Sequence, residues 1–260
     1  MSNDNLKDID LEFLRACLKE AGQLVLAKRG RFIANVKPDR TPVTEFDQQA
    51  EDFLIEKIQS RYPGHQVLSE ESGQRPGTLA YTWVIDPIDG TRAFASGLPV
   101  WGVSIGILRD GEPYAGGLYL PVTGEMYWGT TTAAYYNERQ LEPLHAVDLN
   151  SALVFLAIPS NFHLRYTSTY PRARSMGSIA AHLAYTTTGA AVGTFVDRAS
   201  LWDIAGLLPA LQAVGIEQAY LNGRAFSAAD LHDGAPLREG LLFAHPSVMG
   251  QLRDSIIAKK

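Results

Sequence analysis

The sequence predicts a layered fold that is α+β in its N-terminal half and α/β in its C-terminal half. Three observations support this prediction: helical periodicity near the N-terminus, closely spaced strands between Trp101 and Gly129, and strand–helix alternation after about residue 145. We expect an N-terminal subdomain, residues 1–145, and a C-terminal subdomain, residues 146–260, with no flexible linker between them. Both subdomains should pack around a site at their junction.

The N-terminal subdomain begins with two predicted helices. Residues 10–29 repeat apolar side chains at helical spacing, and Gly30 suits a C-terminal cap. A second helix is predicted to start at Thr44, which can cap it, with Asp47 three residues later as in a capping box.

Short strands follow these helices. Asp110-Gly111 and Thr123-Gly124 are turn signals between the last three, which predicts an antiparallel sheet. The predicted strands are Gln66–Leu68, Tyr81–Ile85, Val103–Leu108, Tyr114–Leu120 and Glu125–Trp128.

The C-terminal subdomain alternates strands with helices. Its predicted strands are Leu153–Ile158, Val192–Val196 and Leu241–Ala244. Its predicted helices cover residues 177–188 and 202–214, and a last one begins near Ser247. This alternation is typical of an α/β sheet.

Composition narrows the class of protein. The net charge of -5 and the absence of a Lys/Arg run disfavour a nucleic-acid partner. Cys17 is the only cysteine, so no intrachain disulfide can form. The polar N-terminus is unlike a signal peptide, and no apolar stretch is long enough to cross a bilayer. We therefore expect a cytoplasmic protein without a membrane partner.

The strongest chemical signal is the segment Asp86-Pro87-Ile88-Asp89-Gly90-Thr91, directly after an apolar strand. Two carboxylates three residues apart can converge beyond the end of a strand, and carboxylate oxygens suit Mg²⁺. Gly90 allows a close backbone approach, and the amides of Gly90 and Thr91 can face an anion. A loop with two turn-forming aspartates is the alternative interpretation.

Three further acidic sites accompany this segment. Glu70-Glu71 follows a short strand, Asp47 begins a predicted helix, and Asp203 follows Trp202 at the start of another. Taken alone, each has an ordinary explanation: a solvated turn, a helix cap, and an acid favoured by the helix dipole.

Taken together, these motifs resemble the inositol monophosphatase family of metal-dependent, lithium-sensitive phosphatases. That family combines a DPIDGT segment with an upstream Glu-Glu and a downstream Trp-Asp, here Asp86–Thr91, Glu70-Glu71 and Trp202-Asp203. The resemblance implies an αβαβα sandwich with an antiparallel sheet in the N-terminal half and a smaller mixed sheet in the C-terminal half. It also implies a homodimer.

The resemblance implies two to three Mg²⁺ ions per active site. Glu70, Asp86 and the carbonyl of Ile88 would hold one ion. Asp86, Asp89 and Asp203 would hold a second, and a weaker third would lie near Glu70.

The remaining roles follow from the same resemblance. Asp47 and Thr91, with Glu70, would be catalytic, the first two by polarising the attacking water. The amides of Gly90 and Thr91 would bind phosphate. The segment Gly177-Ser178 would lie against the alcohol part of the substrate, although Ser178 is equally suited to a plain helix start.

Two departures from the family pattern concern the substrate. Inositol-specific members often read DPIDGTTNF, whereas here Thr91 is followed by Arg92-Ala93-Phe94, as in the histidinol-phosphate phosphatase branch. Asp197 stands where inositol-specific members carry a glutamate that grips ring hydroxyls. It could contact a hydroxyl or an amine of the substrate, or form a salt bridge with a neighbouring arginine.

The leading hypothesis is therefore a Mg²⁺-dependent phosphomonoesterase acting on a small phosphorylated polyol or amino alcohol. Inositol monophosphate is the first candidate substrate and histidinol phosphate the alternative. A catalytically silent metal- or phosphate-binding protein is the alternative of another class. The presence of all five matched carboxylates (Asp47, Glu70, Asp86, Asp89 and Asp203) disfavours it.

Overall fold

The computed structural model describes residues 9–28, 35–36, 42–43, 45–150, 154–157, 165–231 and 234–259, with backbone alone for 35–36 and 42–43. The helices are α1 (Leu11–Leu26), α2 (Glu45–Arg61), α3 (Thr91–Ala95), α4 (Ile179–Thr187), α5 (Leu201–Ala205), α6 (Leu208–Ala213) and α7 (Pro246–Asp254). The strands are β1 (Asn35–Val36), β2 (Pro42–Val43), β3 (Gln66–Ser69), β4 (Gly73–Arg75), β5 (Tyr81–Asp89), β6 (Gly102–Arg109), β7 (Glu112–Leu120), β8 (Glu125–Thr130), β9 (Ala134–Tyr136), β10 (Arg139–Leu141), β11 (Val154–Ala157), β12 (Tyr166–Ser168), β13 (Ala173–Arg174), β14 (Ala191–Val196), β15 (Glu217–Tyr220), β16 (Leu241–Ala244) and β17 (Ile256–Ala258).

The larger sheet has eight strands in the order β10-β9-β8-β7-β6-β5-β3-β4. The predicted meander is confirmed as β6, β7 and β8, which pair antiparallel. The antiparallel pairing extends from β5 to β10, whereas β3 and β5 run parallel, so the larger sheet as a whole is mixed. Strand β4 pairs antiparallel with the outer edge of β3. The chain therefore reverses direction once in β4 and again before β5, which gives β5 the direction of β3.

The smaller sheet has five strands in the order β13-β11-β14-β16-β15. Its pairs β11–β13 and β11–β14 are parallel, whereas β14–β16 and β15–β16 are antiparallel. The expected mixed sheet is therefore confirmed. Two further strand pairs, β1–β2 and β12–β17, lie outside the two main sheets.

The elements form five layers. Apolar residues of α1 and α2 pack on one face of the larger sheet. Residues of α4, α5 and α6 form one core with both sheets, so these helices lie between them. Helix α7 covers the smaller sheet through Val248 and Leu252. This is the αβαβα arrangement that the resemblance implied. The boundary near residue 145 stays a prediction.

Helix bounds differ from the sequence predictions at several places. Helix α1 begins at Leu11 because the Asp10 carboxylate caps it, accepting hydrogen bonds from the amides of Glu12 and Phe13. The predicted caps Gly30 and Thr44, and the predicted strand ends Leu153 and Ile158, lie outside the described residues. Among the helices that the structure describes, none has the length and apolar character needed to span a membrane.

The prediction of one helix over residues 202–214 is wrong, since α5 and α6 are separate. Pro209 lies in the first turn of α6. Within a continuous helix it would lack the hydrogen bond to Ala205 and its ring would collide with the preceding turn. The break also lets the chain approach the sheet closely: a Cβ on Gly206 would lie 2.4 Å from Ser104 Oγ.

Candidate active site

The first two acidic side chains of the site come from the end of β5. Residues 86 and 89 would point to opposite faces of a regular strand, because side chains alternate. Here the register against β6 shifts between Asp86, opposite Ser104, and Asp89, opposite Gly102. This irregularity places an extra residue on β5, as in a β-bulge, and so turns both carboxylates to one side.

Asp203 approaches from the first turn of α5. Its carboxylate accepts a hydrogen bond from the Ser200 amide at 2.6 Å and completes a capping box. Its carboxylate also reaches the end of β5. Asp86, Asp89 and Asp203 each contribute one carboxylate oxygen to a group whose members lie within 4.8 Å of one another. Asp203 thus lies in the first turn of a helix, as its ordinary explanation predicted, and it joins the acidic cluster as well.

The cluster is electrostatically costly without a cation. Burial raises the pKa of Asp86 well above its usual value, and the charges of Glu70, Asp89 and Asp203 raise it further. Burial, followed by the charges of Asp89 and Glu70, likewise raises the pKa of Asp203 well above its usual value. Three mutually repelling carboxylates, two buried and one half-buried, are a donor set that fits a hard divalent cation.

Asp89 is the most heavily hydrogen-bonded member of this cluster. It accepts a hydrogen bond from the Ser178 hydroxyl and others from the amides of Ile179 at 3.2 Å and Ala180 at 3.0 Å. Burial raises its pKa to about 6, and these hydrogen bonds oppose the rise. Asp89 is thus anchored at the start of α4, which ties the two halves of the chain together at the site.

Glu70 lies next to the cluster, in the turn after β3. Its amide donates to the Ile85 carbonyl of β5 at 3.2 Å. Its charge contributes to the raised pKa of both Asp86 and Asp203. The group of three mutually close carboxylates does not include Glu70.

Thr91, Ile88 and Asp47 meet beside this cluster. The Thr91 hydroxyl donates to the Ile88 carbonyl at 3.0 Å and lies 3.5 Å from Asp47 Oδ1. The Ile88 amide donates to Asp86 Oδ1 at 3.0 Å, which fixes the turn. Asp47 is fully buried on α2. The structure therefore brings together the two residues that the resemblance links to the attacking water.

Gly90 faces the segment Gly177-Ser178. Its φ of 90° favours glycine, and a Cβ there would lie 3.1 Å from Ser178 Cβ and 3.3 Å from the Gly177 carbonyl oxygen. Ser178 is buried, and its oxygen also accepts from the Ala181 amide as the N-cap of α4. Ser178 thus starts a helix, as its ordinary interpretation predicted, and also orients Asp89.

Asp197 follows β14 and is buried in an ion pair. Its two carboxylate oxygens accept from Arg165 Nη1 at 2.9 and 3.2 Å. The salt-bridge alternative is therefore observed, with Arg165 as the partner. Burial nevertheless leaves the pKa of Asp197 above its usual value, although Arg165 and Arg198 lower it.

Sequence reasoning missed two polar residues next to these sites. Glu51 is fully buried on α2 and accepts a hydrogen bond from the Glu71 amide at 2.9 Å. Its spacing of four residues from Asp47 was a usable signal, since such residues share one helix face. Arg165 gave no signal, because the contact with Asp197 is long-range.

Several known proteins are similar to this chain. The family model described as "Inositol monophosphatase family" matches residues 8–253. A histidinol-phosphatase from Chlorobaculum parvum is 30% identical over 79% of this chain and 83% of its own length. An inositol-1-monophosphatase from Bacillus subtilis is 30% identical over 88% of this chain and 91% of its own length. A Nus factor SuhB from Salmonella typhimurium is 32% identical over 73% of this chain and 76% of its own length.

The fold is similar to that of a solved structure as well. The Thermotoga maritima IMPase superposes with a TM-score of 0.82 at 22% identity, covering 94% of this chain and 95% of that one. The family match spans nearly the whole chain and includes the acidic cluster. The chain therefore belongs to the inositol monophosphatase family and is a phosphatase.

Proposed function

We propose that this phosphatase hydrolyses a small alcohol phosphate with the help of bound Mg²⁺. The observation that carries the proposal is the convergence of buried Asp86 and Asp89 with half-buried Asp203, three carboxylates that come from two distant parts of the chain. A cluster of like charges shielded from solvent is unfavourable by itself and becomes favourable around divalent cations.

The proposed cations are held by oxygen ligands. Asp86, Asp89 and Asp203 hold one ion, and Glu70, Asp86 and the Ile88 carbonyl hold another, with two to three ions per site. The distances among the first three carboxylates and the charge of Glu70 beside Asp86 support this assignment. When bound, the cations would neutralise charge on the phosphoryl group and increase the acidity of a water molecule.

The chain's own residues supply the remaining chemistry in this proposal. Asp47 and Thr91 hold and orient the attacking water, and Asp47 accepts its proton. The amides of Gly90 and Thr91 bind the phosphate oxygens. Support comes from the positive φ of Gly90, the N-cap residue of α3, a backbone conformation that a side chain would disfavour.

The proposed substrate is inositol monophosphate, with histidinol phosphate as the second candidate. The name of the Bacillus subtilis relative supports inositol monophosphate, and the name of the Chlorobaculum parvum relative supports histidinol phosphate. The segment Arg92-Ala93-Phe94 favours the second. Gly177, Ser178 and Asp197 flank the alcohol in either case, and Arg165 orients the Asp197 carboxylate.

The test is phosphate release from a panel of monoesters that includes inositol 1-phosphate and histidinol phosphate. We expect turnover that requires Mg²⁺, is lost on chelation, and is inhibited by Li⁺ in the millimolar range, as an order-of-magnitude expectation for a weakly held Mg²⁺ site. Hydrolysis of the whole panel in the presence of a chelator would refute the metal proposal. Binding of a phosphate ester without turnover under any condition would favour the silent binding protein instead.

Three further predictions stay predictions: a homodimer, a cytoplasmic location, and no nucleic-acid partner. Light scattering of the purified chain at assay concentration tests the first, and a mass near 28.4 kDa would contradict it. The net charge of -5 supports the third.

A further inference from the structure

Glu51 is a buried carboxylate that the proposed reaction does not use. It is fully buried on α2, and its Oε2 accepts a hydrogen bond from the Glu71 amide at 2.9 Å. Within the described part of the chain its other oxygen, Oε1, has no hydrogen-bond partner. Burying a carboxylate is unfavourable, so its presence here with a single backbone hydrogen bond calls for an explanation.

The geometry of α2 supplies an explanation for the burial of Glu51. Asp47 and Glu51 are four residues apart, so they lie on the same helix face and about 6 Å apart along the axis. Asp47 contacts Thr91, the first residue of α3, at 3.5 Å. Glu51 contacts the turn after β3, which carries Glu70. One helix therefore contacts the chain just beyond the β5 ligands and also the turn that carries Glu70.

Glu51 is one of several groups that hold the Glu70 turn, beside the contact between the Ser69 and Ser72 hydroxyls and the pairing of Ser69 with Gly73. The bulge and the hydrogen bonds to α4 fix Asp89, and the capping box fixes Asp203. The backbone of the Glu70 turn is held on one side by the bond from the Glu70 amide to Ile85. The bond from the adjacent Glu71 amide to Glu51 holds the other side.

We propose that Glu51 is a positioning residue for Glu70, acting through the Glu71 amide. The proposal rests on the proposed function, since it assumes that Glu70 is a metal ligand. Residues that orient metal ligands typically change metal affinity by about 10- to 100-fold when they are removed. We therefore expect Glu51 to govern affinity for Mg²⁺ rather than the rate at saturating Mg²⁺.

The test compares three variants by direct Mg²⁺ titration in a calorimeter and by phosphate release at increasing Mg²⁺. Glu51→Met keeps the side-chain length and removes the acceptor, whereas Glu51→Gln keeps an acceptor for the Glu71 amide. Glu56→Met places the same apolar side chain on the exposed face of α2. We expect Glu51→Met to weaken Mg²⁺ binding about tenfold or more, with turnover restored at high Mg²⁺. Glu51→Gln and Glu56→Met should bind Mg²⁺ as tightly as the unchanged protein does.

The outcomes separate this proposal from the proposed function. If the unchanged protein binds no Mg²⁺, the proposed function fails. If it binds Mg²⁺ and Glu51→Met binds equally well, the positioning role is wrong. Equal weakening in Glu51→Gln and Glu51→Met would also overturn it, because the hydrogen bond would then not be the cause. If Glu51→Met does not fold, Glu51→Asp replaces it: the shortened side chain withdraws from the Glu71 amide, and unchanged Mg²⁺ affinity would again refute the role.

Discussion

Two regions of the site are built on opposite electrostatic principles. The metal side, consisting of Glu70, Asp86, Asp89 and Asp203, gathers like charges, and the pKa values of its three aspartates are raised. The alcohol side, consisting of Gly177, Ser178 and Asp197, contains polar groups that already have partners within the protein. The first region is incomplete without a cation, whereas the second is largely satisfied on its own.

This difference explains why reaction class and substrate are not equally evident. Uncompensated carboxylate charge indicates a cation, since a bound cation relieves at neutral pH the repulsion that protonation relieves at lower pH. Satisfied polar groups do not identify one, because their hydrogen bonds have a structural explanation already. The metal side therefore defines the chemistry, and substrate choice depends on the less informative alcohol side.

The largest effect should come from removing one charge from the metal side. We expect Asp89→Asn to lower turnover by at least about 10²- to 10³-fold, because it loses an anionic ligand at the proposed cation site. The fold should persist, since burial rather than this charge holds β5 in the sheet. Phosphate release and circular dichroism measure the two effects. Asp254→Asn, an exposed aspartate at the end of α7, is the matched control. Activity of Asp89→Asn equal to that of the control would contradict the site assignment.

The second prediction concerns stability against pH in metal-free protein. The pKa of Asp89 is raised from 3.8 to about 6 in the fold. A raised carboxyl pKa favours the folded state at pH values below the unfolded pKa, and this contribution is lost as pH rises through about 6. For Asp89 the loss is about 3 kcal/mol, at about 1.4 kcal/mol per pKa unit, and Asp86 and Asp203 act in the same direction.

Denaturant unfolding from pH 4 to 7.5, with chelator and with saturating Mg²⁺, measures this effect. Mg²⁺ should reverse the trend, because cations bind the ionised carboxylates of the folded state. Asp89→Asn should flatten the metal-free slope. A metal-free protein that becomes steadily more stable up to pH 7.5 would show that the metal side is not under electrostatic strain.

Part of the metal side was evident from a local motif, whereas Glu70 and Asp203 were assigned through the family resemblance. Asp86, Asp89 and Gly90 lie in one short segment, and the apolar strand before them is evident from composition. The bulge that turns both carboxylates to one face was not predictable, because it depends on the register against β6. The parallel β3–β5 pair was missed for a similar reason, since β4 is a short strand with weak hydrophobic alternation.

Other differences arose from long-range packing. Pro209 was a local signal against a continuous helix over 202–214, and it was outweighed by the apolar periodicity around it. The contacts of Glu51 with Glu71 and of Asp197 with Arg165 join residues 20 and 32 positions apart. Nothing in the local pattern of either acid indicates its partner. The sequence therefore indicated the proposed metal ligands more fully than it indicated the residues that hold the metal side and the alcohol side in place.

The smallest effect should come from the alcohol side, through Arg165→Met. This change leaves the buried Asp197 carboxylate without its ion-pair partner. Because the Arg165 side chain is more than a third exposed, solvent should limit the stability loss to about 1 kcal/mol. We expect a higher KM for the preferred substrate with unchanged Mg²⁺ affinity, because Asp197 loses its orientation while the metal side is untouched. Steady-state kinetics at saturating Mg²⁺ measure this, with Arg253→Met, an arginine of similar exposure, as the control. A change in Mg²⁺ affinity with constant KM would mean that the two regions are coupled, and the contrast between them would no longer hold.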